Sequence, residues 1–469
     1  MDMLKLDRLI DSYQQEMVQA LQELVRIPSV QKDPLPNMPF GKACDDVLNA
    51  ALGLAKDMGF DTVNVDGYAG HIDYGEGDKT LGILGHLDVV PEGDGWTVEP
   101  YGAIVKDGYM YGRGTTDNKC SCVGTLFALR AIKELGIPLK HKVRVILGLN
   151  EESGWADIAY YTTKYAMPDY GYSPDGPFPL VYAEKGILNV ELSKTFAKAQ
   201  GDYPVKQLRA GTAINVVPDK CFAVIGAKNA KALAAKLEEI LAKNALEYEM
   251  ELGEDEVHLT VIGKAAHGAF PSQGVNAAVM LLGVLSAAGV GQGSKDTITY
   301  LAQHMQNDGA GIDANVSDEP SGDLTMNMGI ITLDESGFSA RLDIRQPVTY
   351  SFNEVVGRIQ AACAPAGIDA KSITQKDPLH LPLDHPIIKT LMRIYKDITG
   401  RDDKPISMGG GTYARALSNA VAFGPGFPGE AKSQGAHQRD ERLYLEEWFT
   451  ATKIYARAIA TLAGEGVEI

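Results

Sequence analysis

The chain has 469 residues, of which 45% are hydrophobic and 22% are charged, a composition typical of a globular protein large enough for two domains. Its 61 acidic and 44 basic residues give a formal net charge of −17 at pH 7, which argues against nucleic acid or an anionic membrane as a partner. The five cysteines form neither an even framework nor a CxxC pair, so we expect reduced thiols in a cytoplasmic protein.

The N-terminal residues, MDMLKLDRLIDSYQQEM, are acidic and amphipathic, which predicts a surface helix rather than a signal peptide. The longest uncharged apolar stretch, AAVMLLGVLSAAGVG from Ala277, is shorter than the roughly 20 residues that a membrane span needs. It predicts a buried helix, and we expect no membrane partner.

Up to about residue 190, predicted helices near 41–59 and 121–135 alternate with short apolar strands in HIDYG, TLGILGHLDVV and KVRVILGLN. This alternation predicts an α/β domain with a mostly parallel sheet. Ligands bind such sheets at the carboxyl ends of the strands, and the polar clusters HLD and NEE fall at two of these ends.

From about residue 188 the pattern changes to alternating strands such as KCFAVIGA, EVHLTVIG and FSARLDIRQPV, with helices predicted near 229–244, 275–289 and 352–366. This predicts an inserted α+β domain. The Pro-rich segment KDPLHLPLDHP is the predicted return linker, and helices near 386–399 and 446–463 follow it. The predicted domains are therefore 1–187 with 381–469, and 188–380.

His86 and Asp88 lie two positions apart at the end of an apolar strand, so their side chains should point to the same face. A carboxylate that accepts the free ring N–H of a metal-binding histidine fixes the tautomer of that histidine. Taken alone, the pair favours an ordinary hydrogen-bonded histidine at a strand end.

Further polar residues occur in short clusters along the chain. Asp117 lies in YGRGTTDNKCSC, Asp175 in YSPDGPF and His437 in SQGAHQRDE, while NEES contains both Glu151 and Glu152. Each cluster alone is explained by a turn or a helix cap. Together with His86, however, they supply two His, two Asp and two Glu, and imidazole with carboxylate and no sulfur suits two divalent metal ions, zinc foremost and cobalt or manganese as alternatives.

The ordered motifs GHLDVVP, GRGTTDNK, NEESG and SPD, with a C-terminal histidine, resemble those of the M20 metallopeptidases. GGGTYAR and AHQRDE are similar to the dipeptidase branch that includes PepV and the carnosinases, and the resemblance extends over nearly the whole chain. It implies a zinc-peptidase-like α/β catalytic domain and an inserted α+β lid domain with ferredoxin-like elements in an enlarged form.

The resemblance also implies which residues bind the two metal ions. His86 and Asp175 would be ligands of one ion, Glu152 and His437 ligands of the other, and Asp117 the bridge between them. These ions would lower the pKa of a water between them and polarise a carbonyl oxygen.

Glu151 would then be the general base that deprotonates this water, and Asp88 the orienting partner of His86. The resemblance also implies a cis peptide bond between Asp117 and Asn118. Asn118 and Cys120 depart from the DDKG usual in the family, and their effect on substrate fit stays open.

In the inserted domain, GKAAHGAFPSQGVNA resembles the lid motif of the family, whose histidine, here His267, stabilises the oxyanion. AINVVPD places Asn215, and GGGTYAR places Gly410, where the family contacts substrate. RLDIRQPV offers Arg345 as a fork for a substrate carboxylate, although a lone arginine on a strand is more often part of a surface ion pair. Because His267 belongs to the lid, domain closure should complete the site.

The function implied is that of a metal-dependent dipeptidase acting on dipeptides with a free N-terminus. The enlarged inserted domain, about 190 residues, favours this branch and a monomer. Two alternatives stay open, an N-acyl amino acid deacylase and a non-catalytic metal-binding regulatory protein. GPGFPG at 424–429 fits GxGxxG, but its prolines remove the N–H donors that a dinucleotide needs, and no GxSxG is present for a serine hydrolase.

Overall fold

The structure is a computed structural model that describes residues 3–197, 203–291, 293–429 and 432–466. It divides into two compact units. The first unit comprises Met1–Ala183, Leu379–Ser407 and Gly411–Ile469, and the second, which we call the insert, comprises Glu184–Pro378 and Met408–Gly410.

Helices occur in both units of the described chain. In chain order they are α1 (Met3–Ser12), α2 (Gln14–Val25), α3 (Lys42–Asp57), α4 (Lys119–Glu134), α5 (Ala156–Lys164), α6 (Ala230–Lys243), α7 (Ala277–Ala287), α8 (Lys295–His304), α9 (Phe352–Cys363), α10 (Pro386–Thr399) and α11 (Leu445–Thr461).

The strands follow in the same order. They are β1 (Asp61–Val65), β2 (Ala69–Tyr74), β3 (Thr80–His86), β4 (Ile104–Lys106), β5 (Tyr109–Tyr111), β6 (Lys142–Gly148), β7 (Tyr170–Ser173), β8 (Gly176–Pro177), β9 (Val181–Glu184), β10 (Gly186–Thr195), β11 (Val205–Ala210), β12 (Lys220–Gly226), β13 (Glu247–Leu252), β14 (Glu256–Ile262), β15 (Ser317–Asp318), β16 (Gly322–Asp323), β17 (Thr325–Leu333), β18 (Gly337–Gln346), β19 (Asp369–Lys376), β20 (Leu379–His380), β21 (Ile406–Met408), β22 (Ala420–Ala422), β23 (Pro425–Gly426) and β24 (Arg442–Tyr444).

The main sheet of the first unit has the strand order β1-β2-β6-β3-β7-β22-β9-β20, with β21 paired to β9. The prediction of a mostly parallel sheet holds only for its centre: β6, β3, β7 and β22 are parallel, whereas β1, β2 and β9 pair antiparallel with their neighbours. A parallel pair needs a long crossover, but β1 and β2 are joined by a short turn and must run antiparallel. The sheet is therefore mixed.

The register of the central strands positions the polar clusters. His86, the last residue of β3, is the partner of Gly148, the last residue of β6. The two strands therefore end at the same level, and the residues that follow them, Asp88 and the NEES turn, emerge side by side at one edge of the sheet. The next strand in the sheet, β7, ends at Ser173, two residues before Asp175.

Apolar residues cover both faces of this sheet. On β3, Leu81 and Ile83 belong to the core that includes α4 and α11, whereas Leu84 belongs to a separate core with Tyr413 and Leu417. Side chains alternate between the faces of a strand, so His86 lies on the same face as Leu84. This explains why β3 reads as a continuous apolar run, since both of its faces are buried.

The insert contains an eight-stranded sheet in the order β13-β14-β12-β11-β17-β18-β10-β19, and every one of these pairs is antiparallel. Along β14, Val257, Leu259 and Val261 are buried while the residues between them are half-buried. This alternation is typical of a sheet with one covered face, and α6 and α7 pack against that face.

Most predicted helices lie within a few residues of their predicted positions, including the buried α7. α5 and α8 were not predicted. The amphipathic helix predicted at the N-terminus is present as two helices, α1 and α2, which bury Leu6, Ile10 and Met17 in the core and leave other positions exposed. The five cysteines are free thiols and all are buried. Across the described ranges, none of the helices combines the length and apolar character that a membrane span requires.

Candidate metal centre

Asp88 links the ends of two strands in the first unit. The Nδ1 atom of His86 lies 3.0 Å from the Asp88 carbonyl oxygen and 3.4 Å from Asp88 Oδ1. The Asp88 carboxylate also accepts hydrogen bonds from the backbone N–H groups of Glu151 and Glu152, both at 3.2 Å. Asp88 therefore contacts the His86 ring as predicted, and in addition it holds the backbone of the NEES turn.

Five predicted ligands, which we call the ligand cluster, lie together at this edge of the sheet. His86 Nε2 is 3.0 Å from Asp117 Oδ1 and 3.7 Å from Asp175 Oδ2. His437 Nε2 is 3.1 Å from Asp117 Oδ2 and 3.0 Å from Glu152 Oε1. Each histidine thus meets two carboxylates, and Asp117 contacts both histidines, one through each oxygen.

The spacing of these atoms fits two divalent ions. A tetrahedral zinc ion with bonds of about 2.0 to 2.2 Å holds neighbouring ligand atoms about 3.4 Å apart. The separations of 3.0 to 3.7 Å between the histidine nitrogens and the carboxylate oxygens bracket that value. Nitrogen and oxygen donors without sulfur suit zinc and also allow cobalt or manganese.

The electrostatics of the cluster also indicate a site for cations. Burial raises the pKa of Glu152 and of Asp175, and the nearby Asp117 carboxylate raises both further. Hydrogen bonds to Asp117 and Glu152 raise the pKa of His437 to about 11. Burial alone would lower the pKa of His86, but its acidic neighbours hold it well above the ordinary value. Glu152 and Asp175 are therefore short of positive charge, which bound metal ions would supply. At Asp117, by contrast, burial is outweighed by the hydrogen bonds to His437 and His86, which lower the pKa.

The two adjacent glutamates have different surroundings. Glu152 contacts His437, whereas the Glu151 carboxylate lies within 4.8 Å of ligand atoms of both His86 and Asp175. Burial holds the pKa of Glu151 well above its ordinary value, and the nearby carboxylate of Asp175 acts in the same direction. A carboxyl group with a raised pKa beside the reacting atoms is suited to accept and return a proton.

Asn118 joins two of the strand ends. Its Oδ1 accepts a hydrogen bond from the His86 backbone N–H at 3.3 Å, and its Nδ2 donates to the Pro174 carbonyl at 2.7 Å and to Asp175 Oδ1 at 3.2 Å. An aspartate at this position would instead face Asp175 with a second negative charge. The Asp117–Asn118 peptide bond is cis, which confirms the prediction.

Cys120 lies in the first turn of α4 and is fully buried. Its Sγ is 3.6 Å from the carbonyl oxygen of Thr116, and its own carbonyl accepts a hydrogen bond from the Trp448 indole at 2.8 Å. Burial raises the pKa of this thiol well above its ordinary value. Cys120 therefore packs behind the loop that carries Asp117.

Two buried acids behind the cluster were missed from the sequence. Asp157 accepts hydrogen bonds from the backbone N–H groups of Leu149 and Asn150, at 2.7 and 3.0 Å, and from the Tyr413 hydroxyl. Glu441 accepts hydrogen bonds from the loop that leads to Asp117. Glu441 is the last residue of the motif AHQRDE, so the motif could have marked it as a candidate site residue. Asp157 has no motif around it.

In the insert, the structure brings His267 and Asn215 together. The Gly268 N–H donates to the Asn215 carbonyl at 2.7 Å, and His267 itself is exposed. The Ala269 N–H donates to His267 Nδ1 at 3.1 Å. Because Nδ1 accepts this bond, the neutral imidazole carries its proton on Nε2, where it can donate to a substrate oxygen.

Arg345 lies near the end of β18 and is only 5% exposed. Its Nε and Nη2 donate to Asp343 Oδ2 at 3.3 and 2.9 Å, and its Nη1 donates to the Gly409 carbonyl at 2.9 Å. The arginine is therefore in an ion pair, but a buried one, and it lies beside the segment that contains Gly410.

Comparisons with known proteins identify the family of the chain. The model of Peptidase family M20/M25/M40 matches residues 82–461. The chain is 35% identical over 457 residues to "Putative dipeptidase YtjP" of Bacillus subtilis (strain 168), covering 96% of this chain and 97% of the relative. It is 30% identical over 465 residues to "Beta-Ala-Xaa dipeptidase" of Lactobacillus delbrueckii subsp. lactis, covering 98% of each.

The fold resembles the crystal structure of human carnosine dipeptidase 1, with a TM-score of 0.61, 16% sequence identity and 98% of each chain covered. A dipeptidase of Saccharomyces cerevisiae, Dug1p, gives a TM-score of 0.59 at 14% identity, covering 100% of this chain and 99% of the other. The family model and the sequence relatives confirm the family predicted from the motifs, and the chain belongs to peptidase family M20/M25/M40.

Proposed function

We propose that this protein is a dipeptidase with two zinc ions that hydrolyses the peptide bond of dipeptides with a free N-terminus. The observation that carries this proposal is the position of Asp117 between two pairs of ligands, His86 with Asp175 and His437 with Glu152. The names of the relatives, which include a dipeptidase and a Beta-Ala-Xaa dipeptidase, support the choice of substrate. The first unit is the proposed catalytic domain, the insert the proposed lid, and the protein a cytoplasmic monomer.

Bound ions would lower the pKa of a water molecule and polarise the scissile carbonyl. Glu151 is the proposed general base, since its carboxylate lies beside His86 and Asp175, and it would take a proton from the attacking water and then donate it to the leaving amine. Asp88 keeps the His86 ring and the backbone of Glu151 and Glu152 in position, so the base and the ligands share one support.

Four residues of the insert are the proposed substrate contacts. His267 donates from Nε2 to the oxyanion, a role that fits the tautomer set by the Ala269 N–H. Arg345 binds the substrate carboxylate, and its pairing with Asp343 fixes the direction of the guanidinium. Asn215 and Gly410 are the proposed contacts to the rest of the substrate backbone.

Space beside the ligand cluster is suited to a small substrate. A cavity of about 340 Å³ is bordered by Asp117 and Asp175, and Leu443 and Trp448 contribute apolar walls. A larger groove of about 1010 Å³ on the sheet of the insert contains none of the predicted site residues, so we assign it no role in this reaction.

The test joins metal analysis to a substrate panel. Purified protein should bind two equivalents of zinc or cobalt. It should hydrolyse alanyl and β-alanyl dipeptides at least about 100-fold faster than the matching N-acetyl amino acids, because a site built to bind a polar group strongly rejects an analogue that lacks it. Faster cleavage of N-acetyl amino acids would favour the deacylase. Fewer than two metal equivalents together with no hydrolysis would refute the proposal.

A further inference from the structure

Glu441 is a buried carboxylate whose oxygens both accept hydrogen bonds from the loop 112–117. It is 0% exposed. Its Oε1 accepts from the Thr116 N–H and the Thr116 hydroxyl, both at 2.8 Å, and from the Asp117 N–H at 3.3 Å. Its Oε2 accepts from the Gly114 N–H at 3.1 Å and from Arg113 Nη1 at 2.7 Å. One side chain thus holds the stretch of backbone that ends at Asp117.

Arg113 balances the charge of Glu441 in the same buried place. Its guanidinium lies over the Trp96 ring, 5.3 Å from the centroid, and its Nη2 donates to the carbonyls of Pro91 and Glu92 at 3.4 and 3.3 Å. These contacts keep Arg113 in one position, so the Glu441 carboxylate has a fixed partner.

The backbone of the loop depends on this support. Gly114 has a φ of +86°, and a Cβ there would come within 2.8 Å of Val89 Cγ1, so the chain makes a tight turn in close contact with its neighbours. The N–H groups that this turn leaves without helix or sheet partners are those that donate to Glu441.

The segment that carries Glu441 also carries His437. Gln434 and Arg442 pair through two backbone hydrogen bonds, of 2.9 and 2.8 Å, which close a loop that contains both residues. His437 contacts Asp117 from the other side, with Nε2 3.1 Å from Asp117 Oδ2. Residues 434–442 therefore contact Asp117 twice, through its side chain by His437 and through its backbone by Glu441.

We propose that Glu441 is a positioning residue that holds the Asp117 carboxylate between His86 and His437, so that Asp117 can contact two metal ions at once. This inference rests on the proposed metal centre. It does not make Glu441 a ligand, because its two oxygens are used by the loop.

Glu441→Gln tests this with little change of shape. An amide has one accepting oxygen, and donors face both oxygens of Glu441, so in either orientation the NH₂ group meets backbone N–H groups. The loop should then lose hydrogen bonds. In metal-free protein, amide exchange of a peptide spanning 112–118 should become faster, and cobalt titration followed by visible absorption should show binding of the second ion weakened by about tenfold or more.

Glu446→Gln is the matched control, since Glu446 is exposed and near in sequence, and its carboxylate accepts a hydrogen bond from the Tyr444 hydroxyl rather than from the loop 112–117. It should leave both readouts unchanged. If Glu441→Gln fails to fold, Thr116→Val removes the hydroxyl donor to Oε1 and should change both readouts in the same direction to a smaller extent.

Unchanged exchange of 112–118 in Glu441→Gln would overturn the inference, and so would faster exchange with wild-type cobalt affinity and spectrum. Failure of the proposed function is a separate result, since it would appear in the wild-type protein as absence of the two metal equivalents and of hydrolysis. Amide exchange of 112–118 is measured without metal, so a faster rate reports on the lost Glu441 hydrogen bonds and not on metal binding.

Discussion

The ligand cluster of the first unit and the predicted substrate residues of the insert differ in how their charges are matched. In the first unit, carboxylates outnumber imidazoles at separations of 3.0 to 3.7 Å, and the pKa of His437 is raised to about 11. In the insert, the Arg345 guanidinium already has a buried partner in Asp343. The Arg345 charge in the insert is thus balanced by a carboxylate of the protein, whereas the ligand cluster has an excess of carboxylates that a bound cation would balance.

This difference in charge predicts how each region should respond to metal ions. A set of acids that is short of positive charge should respond to metal ions, and a preformed ion pair should not. Changes in the first unit should therefore alter metal binding or the proton transfer, and changes in the insert should alter substrate binding with the metals retained.

The largest expected effect is on proton transfer by Glu151. Glu151→Gln should retain two metal ions and lower kcat by about 1000-fold, because loss of a general base usually removes a factor of about 10² to 10⁴. Glu152→Gln should instead weaken metal binding first, because Glu152 contacts His437. Metal analysis of both variants beside their kinetics separates the two roles. An active Glu151→Gln would show that the base is another group.

A smaller effect is expected from the charge of Arg345. Arg345→Met should lower kcat/KM for dipeptides by about 100-fold, mainly through KM. The pair that is lost is the proposed one between Arg345 and the substrate carboxylate, and truncating one partner of a buried charge pair costs about 2 to 5 kcal/mol. Asp343 would lose its cation, so Asp343→Asn with Arg345→Met serves as a control for stability. Two bound metal ions with an unchanged KM in a folded Arg345→Met would remove Arg345 from the substrate site.

Metal removal should distinguish the two units without any substitution. At a free metal concentration about 1000 times Kd, each site stabilises the folded protein by about 4 kcal/mol. Chelation should therefore speed amide exchange in peptides that contain 112–118, 149–153 and 434–441, while peptides of the sheet of the insert keep their exchange rates. Equal changes in both units would contradict the comparison.

Much of the site was predictable because it lies where buried strands end. β3 and β6 are apolar runs in the sequence, and the polar clusters that follow them fall at the edge of the sheet where ligands bind in such folds. Once the motifs were combined, candidate ligands could be named, and the structure brings three of them, His86, Asp117 and Asp175, together.

Other features depend on contacts between distant parts of the chain, which periodicity does not report. Glu441 binds a loop more than 300 residues earlier, and Asp157 binds Tyr413, which lies on a distant segment. The antiparallel pairing of β1 with β2 also follows from their short connection rather than from the strand pattern. For Arg345, the pattern suggested an ion pair or a substrate contact, and burial with Asp343 shows that the ion pair is present.

The smallest expected effect concerns His71 on β2, which sharpens the comparison within the first unit. Like His86 it is buried, 3% exposed, but its Nδ1 meets the Tyr161 hydroxyl at 3.1 Å and no acid lies within ion-pair distance among the described residues. Burial and the nearby Arg144 lower the pKa of His71 from 6.5 to about 4, although Asp73 opposes this. The pKa values of these two buried histidines of one sheet are thus shifted in opposite directions, because their neighbours differ.

Since His71 is neutral in the folded protein and binds a proton more readily when unfolded, its contribution is fully present above pH 6.5 and is lost as the pH falls towards 4. The loss should reach about 3 kcal/mol of unfolding free energy, at about 1.36 kcal/mol per unit of pKa shift. The cluster carboxylates titrate in the same range, so the measurement is the difference in urea unfolding free energy between wild type and His71→Gln, both with chelator, from about pH 7 to about pH 4.5. That difference should shift steadily in favour of the variant as the pH falls, and parallel curves would show that folding does not change the pKa of His71.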